Sequence, residues 1–301
     1  MMSEYHNPVM LAECMEGLAI KPDGVYVDVT FGGGGHSKEI LKFLSAKGRL
    51  LAFDQDADAK ANIPNDDRLT FIDQNFRFLK NNCRLHAAIP VDGVLADLGV
   101  SSHQFDRPER GFSTRFDADL DMRMDQSSSL TAKEVVNFYS EEDLHRIFGI
   151  YGEIQNAKSL AKTIVTARLN QPIETISGLK EAINKLIPKG KENKYLAQVF
   201  QALRIEVNQE LEALQDFLLQ AADVLAVGGR LVVMSYHSLE DRLVKNFIAK
   251  GKFRGEVEKD FFGNVLKPLE AVTRKAITAT EEEIKQNSRA RSAKLRVAVK
   301  L

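Results

Sequence analysis

Cysteine is almost missing from this chain of 301 residues: Cys14 and Cys83 are the whole supply. Two thiols cannot build a cysteine-rich zinc site. With no sign of secretion both read as reduced core residues, and no metal is expected. Long apolar runs are missing as well. No segment approaches the roughly 20 residues that a membrane-spanning helix needs. The start, Met-Met-Ser-Glu-Tyr-His, has no basic n-region, so the chain reads as cytoplasmic with no membrane partner. Net charge is −1, which excludes a global basic field, and any nucleic-acid site must be a local patch. Internal repeats and low-complexity tracts are absent too. What is present is a 44% apolar composition, enough for a real core. The length suits one large domain or two smaller ones.

The stretch Gly24–His36 organises the rest. Val25, Val27 and Val29 are β-branched at strand spacing and lead into Gly32-Gly33-Gly34-Gly35. Helical sequence follows over Ser37–Leu44. Strand, glycine turn and helix form the opening unit of a nucleotide-binding α/β sheet. Glycine lets the backbone turn sharply and approach a ligand where a Cβ would collide. The helix start offers free N–H groups and a positive dipole end. As a dinucleotide fingerprint the run is imperfect, because the third glycine would fall on Ser37 or Lys38, and the lack of a Gly-Lys-Ser/Thr ending excludes a P-loop. A second strand, Arg49–Asp54, ends in an acid about 20 residues beyond the glycines, where such folds hold ribose hydroxyls. Asp54 also suits the N-cap of the short helix expected over Asp56–Ala61.

The alternation continues. Leu69–Asp73 reads as a third strand with Phe76 at its carboxyl end, then a helix toward Leu85. Asp92–Leu98 reads as a fourth, ending in Asp97 and the loop Gly99–Gln104. Four β–loop–α steps argue for a parallel sheet with right-handed crossovers, with ligands outside the strands' carboxyl ends. Gly32–His36, Asp54, Phe76 and Asp97 are expected to meet there. From about Ser113 to Arg204 the spacing is helical throughout: Leu130–Phe138, Glu141–Phe148, Ile154–Leu169 and Ile176–Leu186. Thr131 with Glu134, and Ser140 with Asp143, resemble capping boxes. Charge in this insertion is uneven. Residues 114–153 hold four Lys/Arg against nine Asp/Glu, a balance of −5, and residues 154–204 hold nine against three, a balance of +6. Such faces are either merely solvated, or the basic half meets a phosphate backbone.

Sheet pattern then returns. Tyr195–Leu225 reads as one long or bent helix ended by Gly228-Gly229. Arg230–Ser235 is a fifth strand, and Tyr236-His237-Ser238 leads into a helix over Leu239–Lys250. Residues 251–288 are polar and weakly patterned. Arg289–Lys300 alternates like a final strand whose Arg and Lys line an edge or touch an anionic partner; an exposed edge there would permit a homodimer. The expected fold is α/β, a Rossmann-like, mostly parallel sheet interrupted by a helical insertion: 1–113 and 205–301 for the sheet domain, 114–204 for the insertion.

A pocket of this kind serves either a nicotinamide enzyme or a methyltransferase using S-adenosylmethionine. No His–carboxylate or Tyr–Lys proton-transfer pair stands out for the first. The second needs less, because the sulfonium is already activated and the protein mainly holds the reactants in line. Asp54 would then take the ribose and Phe76 pack on adenine. Asp97 would lie where methyl donor meets acceptor.

Eight blocks carry a resemblance: Tyr5–Leu11, Thr30–Ser37, Asp97–Ser102, Glu109–Ser113, Leu120–Asp125, Phe200–Ile205, Ser235–Asp241 and Ala290–Ser292. Their residues and order resemble the ribosomal RNA small subunit methyltransferase H family, also called MraW. The resemblance runs from end to end. It implies a class I S-adenosylmethionine-dependent methyltransferase with a helical substrate domain, acting on the N4 of one cytosine in the decoding region of 16S rRNA, with the small ribosomal subunit as partner. It places cofactor contacts on Gly34, Gly35, His36, Asp54, Phe76, Asp97 and Gln104, with Asp97 the candidate catalytic residue. His237, at the fifth strand's end, and Arg123, within the Leu120–Asp125 block, read from their places in the chain as RNA-contacting or structural residues. His103 departs from the proline common in the family. Alternatives are a related enzyme acting on DNA or a small molecule, and a nucleic-acid-binding or assembly factor that keeps the fold without the chemistry.

Overall fold

A computed structural model of the protein describes residues 8–301. Tyr5, His6 and Asn7 of the first family block lie outside the described residues. The chain divides into two compact units. One takes the chain up to Gly99 together with Leu211–Leu301, and the other is Val100–Glu210.

The first unit begins with helix α1 (Leu11–Leu18), strand β1 (Val25–Asp28), helix α2 (Gly35–Phe43), strand β2 (Arg49–Phe53), strand β3 (Leu69–Ile72), helix α3 (Leu79–Leu85) and strand β4 (Val91–Asp97). The second unit is helical: α4 (Ser102–Asp106), α5 (Ala132–Phe138), α6 (Glu141–Ile150), α7 (Ala157–Arg168), α8 (Ile176–Ile183) and α9 (Glu192–Asn208). Helix α10 (Glu210–Val224) follows, then β5 (Leu225–Ser235), α11 (Ser238–Lys250), β6 (Leu269–Ala271), α12 (Glu281–Gln286) and β7 (Lys294–Lys300).

The seven strands form one sheet in the order β3-β2-β1-β4-β5-β7-β6. Strands β1 to β5 run parallel, and β7 pairs antiparallel with both β5 and β6. Both faces are buried, as a parallel sheet requires. Period-two alternation sends Val27, Val94, Leu231 and Val233 to one face, against Leu79, Phe217, Leu218, Val244 and Phe247 of α3, α10 and α11. It sends Tyr26, Leu50, Leu95, Val232 and Met234 to the other, against Cys14 and Leu18 of α1 and Ile40 and Leu41 of α2. Both cysteines are unpaired and buried. Among the described residues no helix is long and apolar enough to cross a membrane.

In the second unit the helix starts follow local chemistry. Thr131 and Glu134 form a reciprocal capping box at α5, and the Ser140 hydroxyl accepts the Asp143 N–H at α6. The Leu120–Asp125 block packs within this unit. Arg110 donates to the carbonyls of Arg123 and Met124, and Asn208 donates to the Met122 carbonyl and accepts from Met124 N–H.

Several expectations are corrected. Tyr195–Leu225 is two helices, because Gln209 adopts φ 49° and breaks the run without a glycine. Helix α10 ends at Val224, four residues before Gly228. Leu225 already pairs with Val91, and the glycines turn the chain inside β5 where its register slips before Gly93 pairs with Arg230. The last strand is not an edge. It lies between β5 and β6, so it offers no open ladder for a dimer. Two of its three cations are held within the unit: Arg296 grips Asp241 of α11 at 2.7 Å and Lys294 reaches the same carboxylate at 3.5 Å. Residues 251–288, read as weakly patterned, contain β6 and α12.

Candidate active site

The site in the first unit is built at the carboxyl ends of β1, β2 and β4. After β1 the chain turns through Thr30–Gly34. Gly34 N–H donates to the Phe31 carbonyl at 2.7 Å, and Gly34, with φ +74°, caps α2. A Cβ on Gly34 would stand 2.8 Å from the Phe31 ring, and one on Gly35 would stand 2.2 Å from Cγ of Pro8. Glycine is therefore required here by the turn's own packing as well as by the positive φ.

Three carboxylates surround the turn. Asp28, the last residue of β1, is fully buried. It accepts from the Ser37 hydroxyl at 2.7 Å and the Thr30 N–H at 3.1 Å, and burial raises its pKa against the pull of His36 and these donors. Asp54 follows β2. Its Oδ2 accepts the Gly32 N–H at 2.7 Å and its Oδ1 the Asp56 N–H at 2.8 Å, while burial pushes its pKa up to about 6. The N-cap of the short turn over Ala57–Asn62 is Asp56, not Asp54. That leaves the Asp54 carboxylate fastened to the glycine turn itself. Asp97 ends β4. Its N–H donates to the Thr30 hydroxyl at 2.7 Å, and its Oδ1 accepts from the Tyr236 hydroxyl at 2.7 Å. Its Oδ2 lies 3.9 Å from Nδ1 of His36, whose Nε2 donates to the Val9 carbonyl at 3.1 Å. Burial first, then Asp28 and Glu240, push Asp97 up to about 6, opposed by His36 and the tyrosine hydroxyl.

Phe76 follows β3 and opens a single 3-10 turn capped by the Asn75 side chain, whose amide also donates to Gln55 at 2.7 Å beyond β2. Its ring packs edge-on against Phe217 of α10, centroids 5.5 Å apart. The sheet thus sets Gly34–His36, Asp54, Phe76 and Asp97 along one edge, as parallel strands in this order must. His237 stands at the N-cap of α11, where it forms a reciprocal box with the buried Glu240. In the second unit Gln104 forms the box that starts α4, accepting the Ser101 N–H at 2.9 Å, and is 5% exposed. Arg123 grips Asp121 through Nε and Nη2 and donates from Nη1 to the carbonyls of Gln126 and Ser128, the geometry of a loop clamp.

Two residues of this site escape reading from the sequence. Asp28 lies inside the valine-rich strand, where it looks like an interruption; its signal is a carboxylate placed directly before the glycine turn. Tyr236 offers no periodic signal, and its position follows from the pairing of Met234 with Asp97 across β4 and β5.

The donor set fits a cationic nucleoside. An ionised carboxylate has about four acceptor positions, so Asp54 keeps capacity for ribose hydroxyls beyond its two backbone bonds. Asp28 and Asp97 add negative potential beside the turn, which favours a sulfonium. The fold and this edge define a class I methyltransferase that uses S-adenosylmethionine.

Residues 3–301 match the MraW methylase family. The protein named ribosomal RNA small subunit methyltransferase H in Flavobacterium johnsoniae is 60% identical over 298 residues, covering 99% of this chain and 98% of that one. The protein of the same name in Cytophaga hutchinsonii is 58% identical over 299 residues, covering 98% and 99%. A solved rRNA methylase from Streptococcus thermophilus covers 97% of this chain and 93% of its own at 13% identity with a TM-score of 0.38, a likeness too distant to carry any argument. The chain belongs to the MraW methylase family.

Proposed function

We propose that the protein methylates the N4 amine of one cytosine in the decoding region of 16S rRNA, on the small ribosomal subunit. The observation that carries the substrate class is the 60% identity, over nearly the whole chain, to a relative whose name states that substrate. The basic half of the helical unit, +6 over residues 154–204, supports contact with a phosphate backbone. The resemblance read from the sequence supplies the position and the atom.

The thiols bear on the atom as well. Methylation at cytosine C5 requires a thiolate to add to the ring first. Cys14 and Cys83 are the chain's two cysteines, both at 0% exposure. Burial raises Cys14 well above the ordinary thiol range and pushes Cys83 up to about 12. Neither suits a nucleophile, which favours an amine acceptor.

S-adenosylmethionine supplies an electrophilic methyl on a cationic sulfur. Asp54 binds the ribose, the glycine turn admits the ligand close to the backbone, and Phe76 presents a ring to the base. Cytosine N4 is a poor nucleophile because its lone pair is delocalised into the ring. Asp97 accepts a hydrogen bond from that amine, localises the pair and takes the proton that the nitrogen must shed after methylation. A target base must leave its stack, or lie in an irregular RNA segment, to reach such a site. Asp97→Asn is expected to bind cofactor more weakly and, at saturating cofactor, to lose turnover; full turnover in that variant removes Asp97 from the chemistry. The acceptor is tested by transfer of labelled methyl to purified 30S subunits, naked 16S rRNA and DNA. Label on small-subunit RNA supports the reading, and label on DNA alone defeats it.

A further inference from the structure

The geometry points to Tyr236 as the positioning residue for Asp97: its phenol fixes one carboxylate oxygen, so that the other faces the acceptor amine. This rests on the reading of Asp97 given above. The observations are local to the sheet. Met234 of β5 pairs with Asp97 of β4, and the Leu98 N–H donates to the Met234 carbonyl at 3.0 Å. Two residues on, the Tyr236 N–H is held at 2.9 Å by the Glu240 carboxylate, itself part of the cap that starts α11. The tyrosine backbone is thus anchored at both a strand end and a helix start. From there the ring lies across Gly99, with Cδ2 3.5 Å from where a Cβ on Gly99 would stand, and the hydroxyl reaches Asp97 Oδ1 at 2.7 Å.

The surroundings make that bond consequential. The groups facing Asp97 are Asp28 from β1, His36 from α2 and Glu240 from α11; Cys14 of α1 and Glu240 also act on Tyr236. Acids outnumber cations in this set, so a neutral donor is what can hold the carboxylate in place without cancelling the charge that attracts a sulfonium. Burial and Asp97 keep the phenol far above its ordinary range, so it stays a proton donor throughout the working pH. A hydrogen bond to the charged form favours that form. Tyr236 therefore extends Asp97's service as an acceptor to lower pH, while leaving Oδ2 for the amine.

The test uses the full chain with 30S subunits that lack the modification as acceptor. Tyr236→Phe removes one hydroxyl and keeps the ring over Gly99. The expected result is an S-adenosylmethionine Kd within about threefold of the parent and a kcat lower by about tenfold, the scale of one lost charge-assisted hydrogen bond. The acid limb of the kcat/KM profile should move to higher pH. Replacement by 3-fluorotyrosine, a stronger donor of nearly the same volume, should move that limb the other way, and serves if the phenylalanine variant folds poorly. Adding Tyr236→Phe to Asp97→Asn should cost little more than Asp97→Asn alone. A merely structural tyrosine would lower Tm and leave the limb in place. An unmoved acid limb, or full multiplicative losses in the double variant, overturns the inference. A fully active Asp97→Asn instead overturns the assignment of Asp97 itself.

Discussion

Asp54→Asn should make the unliganded protein more stable at neutral pH while weakening its hold on the cofactor. The Asp54 carboxylate is half-buried, its charged neighbours include Asp56 and Asp28, and loss of water raises its pKa from 3.8 to about 6. At 1.36 kcal/mol per unit, ionisation in the folded state costs up to ~3 kcal/mol. The sign follows from linkage. Between about pH 4 and pH 6 the folded chain holds a proton that the unfolded chain has released, so stability falls as pH rises through this window and the penalty is full above it. Asparagine has no charge to desolvate. Its Oδ1 can accept one of the two N–H groups of Gly32 and Asp56, and the other bond, worth about 1 kcal/mol, is lost. The net gain is about 1–2 kcal/mol above pH 6, a Tm rise of a few degrees for a protein of this size. Below about pH 4 the gain vanishes and the lost bond leaves a small deficit. Thermal unfolding of both proteins from pH 4 to pH 8, with calorimetric titration of S-adenosylmethionine, reads both effects, and affinity should fall roughly 10–100-fold with the ribose contacts. A Tm difference that is negative at pH 8, or that does not change with pH, would show that the folded chain carries no ionisation penalty at Asp54.

Wild-type affinity for S-adenosylmethionine should fall as pH drops through about 6, because Asp54 and Asp97 both protonate there and lose their attraction for the ligand; titrations at pH 5 and 7.5 should differ by at least about tenfold, and equal values would contradict it. Gly35→Ala places a Cβ 2.2 Å from Pro8 Cγ, so an overpacking cost of about 1–3 kcal/mol is expected in thermal unfolding. Phe217→Ala empties the fully buried position on which Phe76 rests. It should cost about 3–5 kcal/mol in denaturant unfolding, and cofactor affinity should drop further than in Phe217→Leu.

Much of the fold is legible because the sheet is parallel. Val25, Val27 and Val29, and the run Leu231-Val232-Val233, face buried layers on both sides, so their apolar character is continuous and bounded by turns. The helices of the second unit announce themselves through Thr131 with Glu134 and through Ser140. What fails is what no local pattern encodes. Gln209 ends α9 in a left-handed conformation that usually calls for glycine. Strand β6 is three residues long and gains its identity from pairing with β7. Lys294 and Arg296 of β7 look like edge protection, but both are drawn to the one carboxylate of Asp241, about 55 positions away in sequence. In the site, the glycine turn, Asp54 and Asp97 are visible as strand ends. Asp28 hides within an apolar strand, and Tyr236 depends on the register between β4 and β5.

The identity of the methylated atom decides whether the protein is a cytosine-N4 methyltransferase. 16S rRNA in 30S subunits, labelled by the purified protein, is digested to nucleosides and compared by chromatography and mass with N4-methylcytidine, C5-methylcytidine and 2′-O-methylcytidine. A single labelled product is expected, co-eluting with N4-methylcytidine and disappearing with Asp97→Asn. Label in C5-methylcytidine, which needs a thiolate that Cys14 and Cys83 do not offer, or in the ribose, would contradict the N4 assignment.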